Sequence, residues 1–111
     1  MAAQFELKDA KGGQFSFVLK AGNGEPILAS ETYKTKAGAK NGIESVKENA
    51  PSDGAYEVKV SKDKKFYFVL KAANHQVIGT SELYSSESAM KDGIVAVKKA
   101  APGAKLDDIT K

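Results

Sequence analysis

Few side chains in this sequence are equipped for chemistry. There is one histidine, His75, and no cysteine. A lone imidazole can serve as a general base or a metal ligand. His75, however, lies in the segment AANHQ, where a matching segment, AGNGE, has Gly24, and a turn residue accounts for it. Without a second histidine or a thiolate, a zinc site would have to be completed by carboxylates, so no metal and no cofactor is expected. Glu31 and Glu82 occupy matching S-E-x-Y segments. Two such carboxylates brought together could share a proton as an acid–base pair. The structural alternative is a strand end where Tyr33 or Tyr84 packs and its hydroxyl finds a partner. Asp107 and Asp108 offer oxygens to a hard cation, yet neighbours on a strand point to opposite faces. No phosphate-binding glycine loop of either common pattern is present. No catalytic constellation emerges, and a non-enzymatic role is expected.

The charge balance raises a second class. The formal net charge is +3 and the isoelectric point about 9.0, which hints at nucleic acid. All 17 basic residues are lysine, however, and arginine is the favoured reader of phosphate and guanine. The lysines are also interspersed with Asp and Glu, as on a solvated surface. The N-terminus, MAAQFELK, lacks the basic and apolar regions of a signal peptide. The longest apolar run, Phe66–Leu70, falls far short of the ~20 residues that span a bilayer. A cytoplasmic location without membrane association is expected, and absence of cysteine suits a reducing compartment.

The elements that must position these residues come in duplicate. A shift of 51 positions aligns residues 5–55 with 56–106. Roughly 40% of the aligned positions are identical, far above chance, so the chain is an internal duplication. Each copy reads strand, strand, strand, helix. In FELK and in AYEVKV apolar residues alternate with charged ones. QFSFVLK and KFYFVLK follow, with Phe15, Phe17 and Leu19, or Phe66, Phe68 and Leu70, on one face. AGNG and AANH then mark turns through Asn23 and Asn74. Asn-Gly is the strongest signal for a two-residue hairpin with positive φ at both central positions, and Asn-His is a weaker form. PILAS and VIGTS are the third strands. Helices are predicted at about 36–49 and 87–100, with Thr35 and Ser86 as N-caps and Pro51 and Pro102 as stops. Ala39, Ile43, Val46 and Ala50 form one apolar stripe; Met90, Ile94, Val97 and Ala101 form the other. Gly42 and Gly93 lie on these stripes. A mid-helix glycine costs about 1 kcal/mol against alanine, so the pair signals close approach of helix and sheet. KLDDI is read as a last short strand.

Two units, each with one apolar sheet face and one amphipathic helix, are expected to share a core. The fold class is α+β: a single antiparallel sheet with both helices on one face, related by a pseudo-two-fold axis. The chain is read as one domain of two repeats, about 4–55 and 56–109, and as a monomer. Val18 and Lys20, and Tyr67, Val69 and Lys71, then point away from the helices, with Leu28 nearby. These five are the candidate binding residues, because apolar and aromatic side chains on an open sheet suit a protein partner or stacked bases. Asn23 and Asn74 are assigned to turns.

FVLKAGNGEPILASETY, its match FVLKAANHQVIGTSELY, and the helix segments NGIESVKENAP and DGIVAVKKAAP resemble the YegP-like family of small bacterial proteins. The resemblance covers nearly the whole chain in both copies. It implies tandem β3-α-β units in one sheet, with C-terminal strands exchanged between the repeats. Single-repeat members assemble as dimers, so this chain would be a fused pseudo-dimer, with AYEVKV completing copy one while opening copy two and KLDDI completing copy two. The family has no established activity, so the resemblance supplies no catalytic residues. A non-enzymatic module binding a protein or small molecule is the expected function, with weak single-stranded nucleic-acid binding through the open sheet face as the alternative.

Overall fold

Alternation in the sequence becomes a seven-stranded sheet with order β4-β5-β6-β3-β2-β1-β7 in the computed structural model, which describes residues 3–110. The first copy contributes β1 (Gln4–Ala10), β2 (Gln14–Lys20), β3 (Pro26–Ala29) and the helix α1 (Lys36–Asn49). The second contributes β4 (Tyr56–Val60), β5 (Phe66–Lys71), β6 (Val77–Thr80) and α2 (Glu87–Ala100), and β7 (Lys105–Asp108) closes the chain. Both helices begin as expected: Thr35 Oγ1 accepts from the Gly38 amide at 2.9 Å and Ser86 Oγ from the Ala89 amide at 3.1 Å. Each such cap is worth about 1 kcal/mol.

One apolar cluster holds the two copies together. Phe5, Phe17 and Leu19 from the first copy and Phe68 and Leu70 from the second are fully buried beside Val46, Met90 and Val97 of the helices. Burying each large side chain contributes roughly 1.5–3 kcal/mol. Phe5 meets Phe17 edge-on, and Tyr56 meets Phe68 in the same way.

The pseudo-two-fold axis passes through the sheet between β3 and β6. Ala29 pairs with Thr80 there, and these are equivalent positions of the duplication. Their neighbours Leu28 and Gly79 are also equivalent, yet only one side chain fits. A Cβ added at Gly79 would lie 2.6 Å from Leu28 Cγ and Cδ2. Leu28 pairs with Leu19 and is buried in the shared core, so it belongs to the helix side and not to the open face. The reason is a bulge. The register shifts between Leu19 and Lys20, where Ile27 is the extra residue, so Ile27 and Leu28 both join the core. Ile78 is the extra residue of the matching shift on β6.

The sheet is mixed rather than wholly antiparallel. β7 runs parallel to β1, with Phe5 opposite Leu106 and Leu7 opposite Asp108. The last strand of the second copy therefore completes the first. The exchange runs one way: Tyr56–Val60 pairs with β5 and adds no strand to the first copy. The chain linking α1 to β4 is consumed in opening the second copy. One end of the sheet is closed by β7, and the other ends at β4.

Candidate functional site

The two S-E-x-Y segments repair the sheet where β3 and β6 leave their neighbours. Ser30 Oγ accepts from the Phe17 amide at 2.9 Å and donates to the Glu31 carbonyl at 2.7 Å. Ser81 does the same with Phe68 and Glu82 at 3.0 and 2.8 Å. Tyr33 and Tyr84 then rejoin Phe15 and Phe66 through isolated bridges. Their rings stack on Phe17 and Phe68 with centroids 6.0 and 6.4 Å apart. The helix glycines make room for them: a Cβ on Gly42 or Gly93 would strike the tyrosine hydroxyl and lie 2.7 Å from Cζ. The ring fills the space, and neither hydroxyl bonds a protein acceptor among the described residues. Burial, and then the charge of the adjacent Glu31 or Glu82, raises both phenol pKa values, so both hydroxyls stay protonated donors at neutral pH. Glu31 and Glu82 do not form a pair. Glu31 faces the β5–β6 turn and Glu82 the start of β3, at separate depressions.

The turns differ from a two-residue hairpin. Only Gly24 and His75 take positive φ, 84° and 69°, while Asn23 and Asn74 do not. The amide of Gly24 donates to the Ala21 carbonyl and that of Ala21 to the Glu25 carbonyl, a three-residue loop with its left-handed residue last. Each asparagine acts through its side chain instead. Asn23 Oδ1 accepts from the Glu25 amide and Asn74 Oδ1 from the Gln76 amide, both at 3.1 Å. His75 is an exposed turn residue where the first copy has glycine.

Val18, Lys20, Tyr67, Val69 and Lys71 lie on the sheet face away from the helices, since their strand neighbours Phe17, Leu19, Phe68 and Leu70 enter the core. Lys20 is 2.8 Å from Glu6 and Lys71 is paired with Glu57. The Lys71 hydrogen bond and charge, with Lys59, hold the Glu57 carboxyl below its ordinary pKa. Val69 is only 5% exposed between Glu57 and Thr80, Val18 is half-buried, and half-buried Tyr67 registers opposite Lys59. Two ion pairs, Lys20–Glu6 and Lys71–Glu57, thus occupy this face. Among the described residues no cluster of three or more acidic or histidine side chains could hold a metal, and no helix is long and apolar enough to cross a membrane. Asp107 and Asp108 are divided as adjacent strand residues must be, and Asp108 is committed to Lys36 at 3.1 Å.

The structure also assembles a groove of about 520 Å³ across the two repeats. One wall is a helical stripe of α1, Gly38, Asn41, Gly42 and Ser45, spaced as one face of a helix demands. The other is the β5–β6 turn and the start of β6, with Asn74, Gln76 and Ile78; Glu31 and Tyr33 complete it. Amides, hydroxyls and one carboxylate line it beside the apolar side chains of Ala72, Val77 and Ile78, and no lysine is among these lining residues. Periodicity could not find it, because its walls come from different copies. The available signal is divergence between the copies: Asn41, Ser45 and Gln76 correspond to Asp92, Ala96 and Glu25.

Comparison with known proteins agrees with the duplicated architecture. A family model described as a domain of unknown function (DUF1508) matches twice, at residues 10–57 and 61–108. A UPF0339 protein encoded in the ptx operon 5′ region of Stutzerimonas stutzeri is 54% identical over 98% of both chains. The solution NMR structure of yegP from E. coli, a protein of unknown function, superposes with a TM-score of 0.93 at 48% identity, covering 99% of this chain and 95% of that one. That of a UPF0339 protein from Shewanella oneidensis gives 0.92 at 51% identity, covering 99% and 93%.

Proposed function

The chain belongs to the DUF1508 family, as two tandem copies of its domain, and from that premise we propose that it is a non-enzymatic binding module whose ligand sits in the cross-repeat groove. The observation that carries this reading is the lining: hydrogen-bonding groups from both copies converge on one concave surface. The Asn74 amide group uses its oxygen within the turn and leaves its NH₂ to donate outward. The Tyr33 hydroxyl stays protonated, and Glu31 supplies a charge-assisted acceptor. A small polar ligand, neutral or cationic, matches this set.

The open sheet face, with Val18, Lys20, Tyr67, Val69 and Lys71, is the alternative surface, and single-stranded nucleic acid its alternative ligand. Stacking on Tyr67 beside lysines favours that reading. Ion pairing of Lys20 and Lys71 with carboxylates weighs against it, because phosphate would have to displace both partners. Titration of isotope-labelled protein with the small-molecule fraction of a bacterial lysate, followed by amide shifts, separates the surfaces. The groove reading expects saturable shifts at Gly38, Asn41, Asn74 and Gln76 that disappear in Asn41→Leu. Shifts confined to Lys20, Tyr67, Val69 and Lys71, or no saturable shifts at all, would overturn it.

A further inference from the structure

The two ends of the sheet are related by the duplication but finished differently. At one end β7 covers β1: the Lys105 amide donates to the Ala3 carbonyl at 3.1 Å and the Ile109 amide to the Leu7 carbonyl at 2.9 Å. Under this cover Phe5 and Leu7 are completely buried. Leu106 lies on the helix side of β7 and lines a hollow with Lys40, Ile43, Glu44 and Lys47 of α1. At the other end, β4 has no strand beyond it among the described residues. Val58, the counterpart of Leu7, is 50% exposed, and Val60 is 59% exposed. On α2 the counterpart of Glu44 is Val95, which is 47% exposed. The second copy thus carries an extra apolar residue on the helix flank where Leu106 would rest.

We propose that the outer edge of β4 accepts a parallel β-strand from a partner protein, seated as β7 is seated on β1, and that the strand reads apolar–any–basic. An open edge presents unpaired backbone groups that template strand addition. The apolar residue would lie opposite Tyr56, as Leu106 lies opposite Phe5, against Ile94 and Val95. Two residues on, β7 places Asp108 opposite Leu7, where it pairs with Lys36. The counterpart of Lys36 is Glu87, so this position calls for Lys or Arg. Glu87 is exposed and pairs with Lys91 at 3.5 Å, a weak pairing that leaves room for a second cation. A second copy of this chain is a poor occupant, because its Asp108 would meet Glu87. That like-charge contact opposes head-to-tail growth through the open edge. The inference is independent of the groove, which involves neither β4 nor α2.

Two synthetic peptides test it: AKLDDIT, which copies residues 104–110, and AKLDKIT, which carries Asp108→Lys. Titrated into the labelled full chain at low salt, AKLDKIT should shift the amides of Tyr56–Val60 and of Val95. It should bind about three- to fivefold more tightly than AKLDDIT, the scale of one exposed ion pair. Glu87→Lys, an exposed change that leaves the core alone, should reverse the preference. Absence of shifts on β4 at millimolar peptide, shifts confined to β1 and β7, equal binding of the two peptides, or an unchanged preference in Glu87→Lys would each overturn the proposal.

Discussion

Leu28 and Gly79 show how single residues turn a duplication into one molecule. On a two-fold axis, equivalent positions face each other, and here the shared space holds one isobutyl group. Gly79→Leu should overpack the axis and cost about 1–3 kcal/mol in urea unfolding. Combining it with Leu28→Gly moves the same side chain to the other copy and should recover most of that loss. A double variant no more stable than Gly79→Leu alone would show that the two positions do not share the space. His75 offers a second residue-scale test. Its left-handed backbone is strained for any residue but glycine, asparagine or aspartate, and the first copy has glycine there. His75→Gly should raise stability by about 0.5–1 kcal/mol, the relief of strain less glycine's extra unfolded-state entropy; a loss would contradict this reading of the turn. The asparagine turns were legible in the sequence as turns. Their type was not, because Asn-Gly suits both hairpin geometries and only the hydrogen bonds choose between them.

At the scale of elements, periodicity served best where one copy contains everything that matters. The helices at 36–49 and 87–100 match their predicted spans, because N-cap, apolar stripe and proline stop are local signals. Leu28 was misplaced because a bulge breaks the alternation at Ile27, and two adjacent apolar residues do not reveal which one slips. The partner of KLDDI was beyond periodicity altogether, since a parallel pairing between residues a hundred apart leaves no local trace. That pairing has its own pH signature. Hydrogen bonds from the Thr110 side chain and backbone, then Lys36, lower the Asp108 pKa from 3.8 to about 2. A depressed carboxyl contributes stability above its ordinary pKa and loses it as pH falls through the folded value. The Lys105 and Ile109 amides, which bond β1, should therefore become less protected from exchange as pH drops from about 4 towards about 2. The pH dependence should flatten in Asp108→Asn. Protection equally steep in that variant would assign the acid sensitivity elsewhere.

For the whole molecule, fusion of two copies creates what neither has alone. It joins the cores across β3 and β6, builds a groove with walls from different repeats, and leaves the sheet closed at β1 by β7 and open at β4. The duplication and the shared core were legible from one alignment of the chain with itself. The groove and the unequal sheet ends depend on how the copies meet, and on the few positions where they have diverged. The binding claim rests on the polar lining that both copies supply, with Asn41 on its helical wall. It is tested most directly by mass spectrometry of the small molecules retained when wild-type protein and Asn41→Leu are recovered natively from the same lysate. The account predicts a polar, neutral or cationic compound held by the wild type and depleted several-fold in the variant. Equal retention by both proteins, or retention of anionic compounds alone, would contradict it.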